Sequence, residues 1–334
     1  MLQLKNTTPF AANFGQLCGY DSQEYTCVTA GVSLTYDQGQ WHLADEQLEP
    51  PHHDRYQFDD PASPLLLPNQ LSFNKGQTDF IFDACATSRS APVTELPVSV
   101  SILSAGVVRS IELDVVGDQH IDAQGISRRN PFNSMPLGFE RAYGGGYQLG
   151  GGLHTNEIHP EGRGYLPDQK HIQLLEHGVW LPNCYAKGES SLHYSHIKAC
   201  VALGPMPVTH QARRQYAGTF DKSWQEARAP YLPDDFHPLF FQAGLEALRW
   251  DGMLSSDFQL QLTNLGGLDD CVCPVPKLLL DVEFRQGRIT GQVMDLHTVF
   301  IQPGLNTVHL IFGHSFLMPP SVSDLRLITV RRGF

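Results

Sequence analysis

The sequence predicts a mainly β protein: two antiparallel, sandwich-like β-rich halves joined by a long irregular Gly/Pro-rich central region with a few short helices. Three observations predict it. Segments rich in β-branched and aromatic residues recur about every ten residues over 1–120 and again over 251–334, the cadence of a meander or sandwich. Between them, over 121–250, regular periodicity fades. Gly 30 plus Pro 23 is about a sixth of the 334 residues, which favours turns and irregular segments over long helices. The three ranges read as parts of one compact unit.

The first half opens with an edge strand and a loop around Pro9, over 2–14. Residues 25–36 (YTCVTAGVSLTY) turn at Asp37-Gln38-Gly39 and return over 40–44, a hairpin pattern. Residues 49–69 hold five prolines, His52-His53 and Asp59-Asp60, and read as loop. Strands follow over 79–86, 96–103 and 107–116, the last two joined by a reversal at Ser104-Ala105-Gly106. Broken alternation at Val107-Val108 and Val115-Val116 predicts a bulge. In the central region Asp221 suits the N-cap of a short helix over 221–229 that Pro230 and Pro233 end. A second helix is expected over 240–250, with Phe241, Leu245 and Leu248 near one face. The second half gives strands over 258–265, 277–284, 288–294, 297–301, 306–312 and 325–331.

Net charge is −12, and the tight basic clusters are scattered doublets, Arg128-Arg129, Arg213-Arg214 and Arg331-Arg332. A nucleic-acid binder needs a basic stripe, so no nucleic-acid partner is expected. Seven cysteines, an odd number spread over the chain, do not form a disulfide framework. No apolar run approaches a membrane span, and MLQLKNTTPF lacks a basic segment followed by an apolar one. The expectation is a cytoplasmic protein with reduced thiols and no membrane contact.

The chain is organised around residues 129–146, RNPFNSMPLGFERAYGGG, which fit neither a helix period nor strand alternation. They read as a buried, rigid hub. Glu140 and Arg141, adjacent in an extended segment, should point opposite ways and not pair with each other. The glycine triplets 144–146 and 150–152 lack the Lys-Ser/Thr or strand-to-helix setting of a phosphate loop. Cys271-x-Cys273 has one residue between its cysteines, and His154, His159, His171, His177, His193 and His196 match no standard zinc spacing. No Gly-x-Ser-x-Gly elbow is present. No catalytic residue, metal or cofactor is expected. The alternative is a hydrolase-like enzyme using Glu140, Asp234 and Asp235, or a histidine-bound metal in the central region.

Several stretches together resemble a bacterial family of type VI secretion effector adaptors, the domain-of-unknown-function family DUF2169. They are Asn6-Thr-Thr-Pro-Phe-Ala-Ala12, Ala44-Asp-Glu-Gln47, Pro131-Phe-x-x-Met-Pro-Leu137, Phe139-Glu-Arg-Ala-Tyr-Gly-Gly145, Pro160-x-Gly-Arg-Gly-Tyr165 and Leu181-Pro-Asn183. The most specific is Gln215-Tyr-Ala-Gly-Thr-Phe-Asp-Lys-Ser-Trp224, continuing to Leu232-Pro-Asp-Asp-Phe236 and Phe240-Phe241. The chain departs from the pattern at His159, where the family usually has Asn, and at Cys184-Tyr185. The resemblance implies a non-catalytic adaptor or chaperone that binds a toxin effector, stabilises it and helps load it onto the valine-glycine-repeat spike protein (VgrG). Glu140, Arg141, Tyr143, Tyr216, Asp221, Trp224, Tyr231, Asp234, Asp235 and Phe236 are then candidate partner-surface or hub residues. Trp224, Tyr231 and Phe236, with Arg141, are anchor candidates, because Trp, Tyr and Arg dominate interface energetics; the alternative is that they stabilise the shared fold. Effector-specific contacts are expected on stretches such as 52–60 and 148–156.

Overall fold

The spine of the molecule is the Glu24–Asp37 strand, whose β-branched and aromatic residues suit a pleated, two-sided environment. Ala11–Cys18 pairs along one edge and Thr307–Leu317 along the other, both antiparallel. The sheet continues through Asp295–Gln302 to Asp79–Phe82, which runs parallel to its neighbour, while Gln40–Leu43 closes the hairpin on Glu24–Asp37. That hairpin turns on Gln38 and Gly39, both at positive φ, as a two-residue turn between right-twisted strands requires. The structure, a computed structural model, describes residues 3–167, 169–175, 177–191, 196, 199–319 and 324–333.

A second sheet runs Cys184–Ala186, Val107–Val116, Glu95–Ser104, Phe258–Thr263, Asp270–Cys273, antiparallel throughout. A third joins Gln3–Asn6, Leu325–Arg332, Leu278–Phe284 and Arg288–Val293. The mainly β, mostly antiparallel class holds. Each of these three sheets takes strands from both ends of the chain, so the sheets cross the sequence boundaries near 120 and 251. One apolar core links them, with Phe80, Val100, Ile102, Leu260, Leu280, Val299, Leu310 and Ile328 essentially sealed from solvent. The Phe80 and Phe258 rings meet edge to face at 5.3 Å between two of the sheets.

Four local expectations are corrected. Residues 11–18 form a strand, because Glu24–Asp37 offers them a full antiparallel edge. Val107–Val116 pairs with Glu95–Ser104 in unbroken register, so it holds no bulge. Residues 49–69 include a short antiparallel pair, Arg55–Tyr56 with Leu65–Leu67. The helix over 240–250 is replaced by two short 3-10 turns, Pro238–Phe241 and Glu246–Leu248. Its backbone amides are claimed elsewhere: Ala243 N donates to Asp79 Oδ2 and Trp250 N to Thr78 O. Fixed tertiary partners outweigh a weak helix pattern.

Candidate partner-binding site

The hub lies across the sheet ends. Ser134–Pro136 pairs with Cys85–Thr87, Phe132 bridges to Val93, and Tyr143–Gly144 runs parallel to Arg163–Gly164. Its apolar residues Phe132, Met135, Leu137 and Phe139 are all buried. Two guanidiniums meet behind them on shared acceptors. Arg141 Nη1 donates to Asn183 Oδ1 (3.0 Å) and Asp118 Oδ1 (3.3 Å), and Arg163 Nη1 donates to the same oxygens at 3.2 Å and 3.4 Å. Asn183 Nδ2 donates in turn to Val116 O at 3.0 Å. Arg141 is therefore a structural tie between hub and sheet. Tyr143 is half-buried against Val116 and Tyr185, and burial raises its phenol pKa.

Glu140 departs from its expected geometry. Phe139–Arg141 is a 3-10 turn, not an extended segment, so the neighbouring side chains curl together and Arg141 Nε lies 3.9 Å from Glu140 Oε1. Burial raises the Glu140 carboxyl above its usual range, against the pull of Arg141 and Arg163. Its Oε2 has no hydrogen-bond partner. Glu140 and Arg163 sit in a groove of about 490 Å³ with Leu153, His177 and Trp180. The Gly146–Leu149 and Gly152–Thr155 hairpin forms one wall, with Leu153 exposed at its turn end.

Residues 216–236 form a loop fastened mainly by its own side chains. Asp221 caps the Lys222–Ala227 helix by accepting from Trp224 N at 2.8 Å, as expected. Trp224 Nε1 donates to Tyr231 O at 2.8 Å, and Phe220 meets the Trp224 ring edge-on. Asp235 accepts from the Thr219 hydroxyl and amide, which lower its pKa. Asp234 pairs with Arg228, and Arg228 also reaches Tyr20 O. The Tyr216 ring lies on His237, and Tyr231 Oη donates to Glu24 Oε1 at 3.4 Å. Phe236 is buried in a cluster with Phe73, Phe240, Phe241 and Tyr20. Of its two readings, exposed anchor or fold-stabilising residue, Phe236 takes the second: its ring fixes the loop to the Ala11–Cys18 and Glu24–Asp37 hairpin. Trp224 and Tyr231 are half-buried, and Phe220 is the exposed aromatic here. Asp234 and Asp235 do not line the Glu140 groove, so the three carboxylates are not brought to one place.

The most exposed large apolar side chain in the described chain lies elsewhere. Phe58 is 91% exposed, on a 3-10 turn, Gln57–Asp59, where Phe58 and Asp59 both take positive φ (58° and 53°). A bulky residue there is a conformational outlier. The turn stands between two grooves. One, about 790 Å³, is lined by Glu49, His52, His53, Arg55 and Tyr56. The other, about 370 Å³, runs from Phe58 to hub residues Pro136, Leu137 and Gly138. Nothing in the local sequence marks Phe58, although it falls within the 52–60 stretch singled out for variable contacts.

Among the described residues, the central-region histidines whose spacing fits no zinc pattern do not gather as a set, and His196 is exposed. His154 stacks on Tyr147, His171 lies in the Gln169–Leu174 3-10 turn and His177 lines the Glu140 groove. His193 lies outside the described residues. Of the described ones, only His159 joins a potential ligand group, with Cys200 and His210, which sequence spacing did not offer. Burial lowers the His159 pKa, takes that of His210 down to about 4 and pushes the Cys200 thiol up to about 12. Cys271 and Cys273 point the same way into the core.

The fold and site define a mainly antiparallel β protein whose irregular centre presents grooves around a fixed hub. A family model matches residues 21–313. The chain belongs to that family, described as "Uncharacterized protein conserved in bacteria (DUF2169)". No curated protein and no solved structure gives a significant match. Among the described residues, no helix is long and apolar enough to cross a membrane.

Proposed function

We propose that this chain is a cytoplasmic type VI secretion adaptor-chaperone. It binds a toxin effector, stabilises it and helps load it onto the valine-glycine-repeat spike protein, without catalysing a reaction itself. The observation that carries this reading is Phe58. A fully presented aromatic on a left-handed turn is costly in the free chain, both in backbone strain and in exposed apolar surface. It is the form an interface anchor takes when the partner supplies the missing contacts. The flanking grooves offer polar and apolar walls to the partner, and the hub holds one of them rigid. The motif resemblance supplies the identity of the partners.

The test is secretion. In the parent bacterium, deletion of this chain should abolish export of one toxin while other type VI cargo is still released. Wild type should restore it and Phe58→Gly should not. Unchanged export of every toxin in the deletion strain would contradict the reading.

A further inference from the structure

His159 is fully buried and its ring is fixed before any ligand arrives. Its Nε2 donates to Phe139 O at 2.7 Å, which leaves Nδ1 with the lone pair. Gly144 and Gly162 close on the ring so tightly that a Cβ on either would fall 2.8 Å and 2.5 Å from His159 Cδ2. Asn156 Oδ1 accepts from the His159 amide at 3.0 Å. His210 lies opposite, ring centroids 5.1 Å apart. Its Nδ1 accepts from Ala212 N at 3.1 Å, so Nε2 faces the other way. His159 Nδ1 and His210 Nε2 are both sealed from solvent and both without a hydrogen-bond partner. Such orphaned buried nitrogens are rare and call for an explanation. Cys200 supplies a sulfur, and the ligand atoms of the three residues lie within 4.8 Å of one another.

We propose that His159, Cys200 and His210 form a zinc(II) site that clasps three stretches of the central region. Two imidazoles and one thiolate are a zinc donor set, and three protein ligands leave a fourth position for water. Tetrahedral ligation puts donor atoms roughly 3.3–3.7 Å apart, a contraction of about an ångström from the outer limit seen here. The Phe139 carbonyl is the outer partner that a metal-bound imidazole ordinarily has. On binding, Cys200 releases its thiol proton to solvent. The His210 proton shifts from Nε2 to Nδ1, which then cannot accept from the Ala212 amide 3.1 Å away, so the 210–212 turn opens to part the two donors. The competing arrangement is metal-free: a small ring shift that lets His210 Nε2–H donate to His159 Nδ1.

The test uses full-length protein carrying no histidine tag, purified from zinc-supplemented cells. The site predicts roughly one zinc per chain that survives dialysis. After chelation and cobalt(II) addition it predicts tetrahedral visible bands and a thiolate-to-cobalt charge-transfer band. Cys200→Ser should lose that charge-transfer band and most of the zinc while keeping its far-ultraviolet circular dichroism. If Cys200→Ser does not fold, zinc X-ray absorption of wild type decides: one sulfur and two imidazole scatterers support the site, and any other shell overturns it. Wild type without zinc and without a cobalt spectrum would establish the metal-free histidine pair instead. Zinc undiminished in folded Cys200→Ser would also overturn the assignment.

Discussion

Lys75 Nζ lies 3.0 Å from Asp79 Oδ2, and both side chains are buried. Around them Lys75 Nζ also donates to Thr298 Oγ1 at 2.9 Å, Ala243 N donates to Asp79 Oδ2 at 2.8 Å, and Arg249 Nε stands 3.6 Å from Asp79 Oδ1. Asp79 is thus the anion shared by the buried Lys75, the half-buried Arg249 and a backbone amide. Burial lowers the Lys75 pKa, opposed by Asp79. Asp79→Asn strands those cations and should cost about 3–5 kcal/mol in urea unfolding. Lys75→Met should cost less, because Arg249 and Ala243 still face the carboxylate. An equal or smaller effect for Asp79→Asn would contradict this ranking.

Beyond the His159–His210 pair, two more buried histidines contribute to an acid limit. His309 is neutral, with Nε2 donating to Gln302 Oε1 and Nδ1 facing Ser33 Oγ, and burial takes its pKa from 6.5 to about 4. Burial, Lys75 and His314 take that of His297 to about 3. The unfolded chain therefore binds protons first as pH falls. The stability from the neutral rings is whole above about pH 6.5 and is lost as pH drops toward the folded values. At pH 5 each should have lost about 2 kcal/mol. Unfolding measured from pH 7.5 to 5 should show that decline, shallower in His309→Gln.

Asn183 ties the hub. Its Oδ1 accepts from Arg141 and Arg163, and its Nδ2 donates to Val116 O. Asn183→Leu should cost about 2–4 kcal/mol, since it leaves charged donors without an acceptor they now share. Arg141→Lys should recover little, because a single ammonium cannot reproduce the guanidinium's divergent donors. Thermal unfolding of the two variants measures this.

Phe58 separates function from folding. Phe58→Gly suits the positive φ and removes an exposed ring, so thermal stability should hold or rise by up to about 1 kcal/mol. Partner affinity should fall at least tenfold, the loss expected of a central aromatic anchor. Calorimetry on the purified complex reads the second number and unfolding reads the first. Unchanged affinity would remove Phe58 from the interface.

Much of the β framework was legible because strands carry a period: residues 25–36 and 96–103 form where alternation and turns place them, 258–265 as far as Thr263, and 107–116 as a strand despite its broken alternation. Asp221 was legible for a similar reason, since an N-cap needs only its own side chain and an amide three residues on. What failed depends on distant partners. The 240–250 helix yields to amide acceptors at Thr78 and Asp79, far away in sequence. Phe236 lies under Phe73 and Tyr20, also remote, so the choice between anchor and fold-stabilising role could not be made locally. His159, Cys200 and His210 meet only through the fold, at spacings that no zinc pattern describes. Phe58 owes its exposure to a turn conformation that its own side chain disfavours.

The most direct test of the adaptor account is co-expression of this chain with each large reading frame encoded beside it, followed by affinity capture and size-exclusion chromatography. The account predicts that one neighbour, a toxin, is soluble only in the presence of this chain and co-elutes with it as a stable complex. If this chain elutes alone and every neighbour is soluble without it, the adaptor account is wrong.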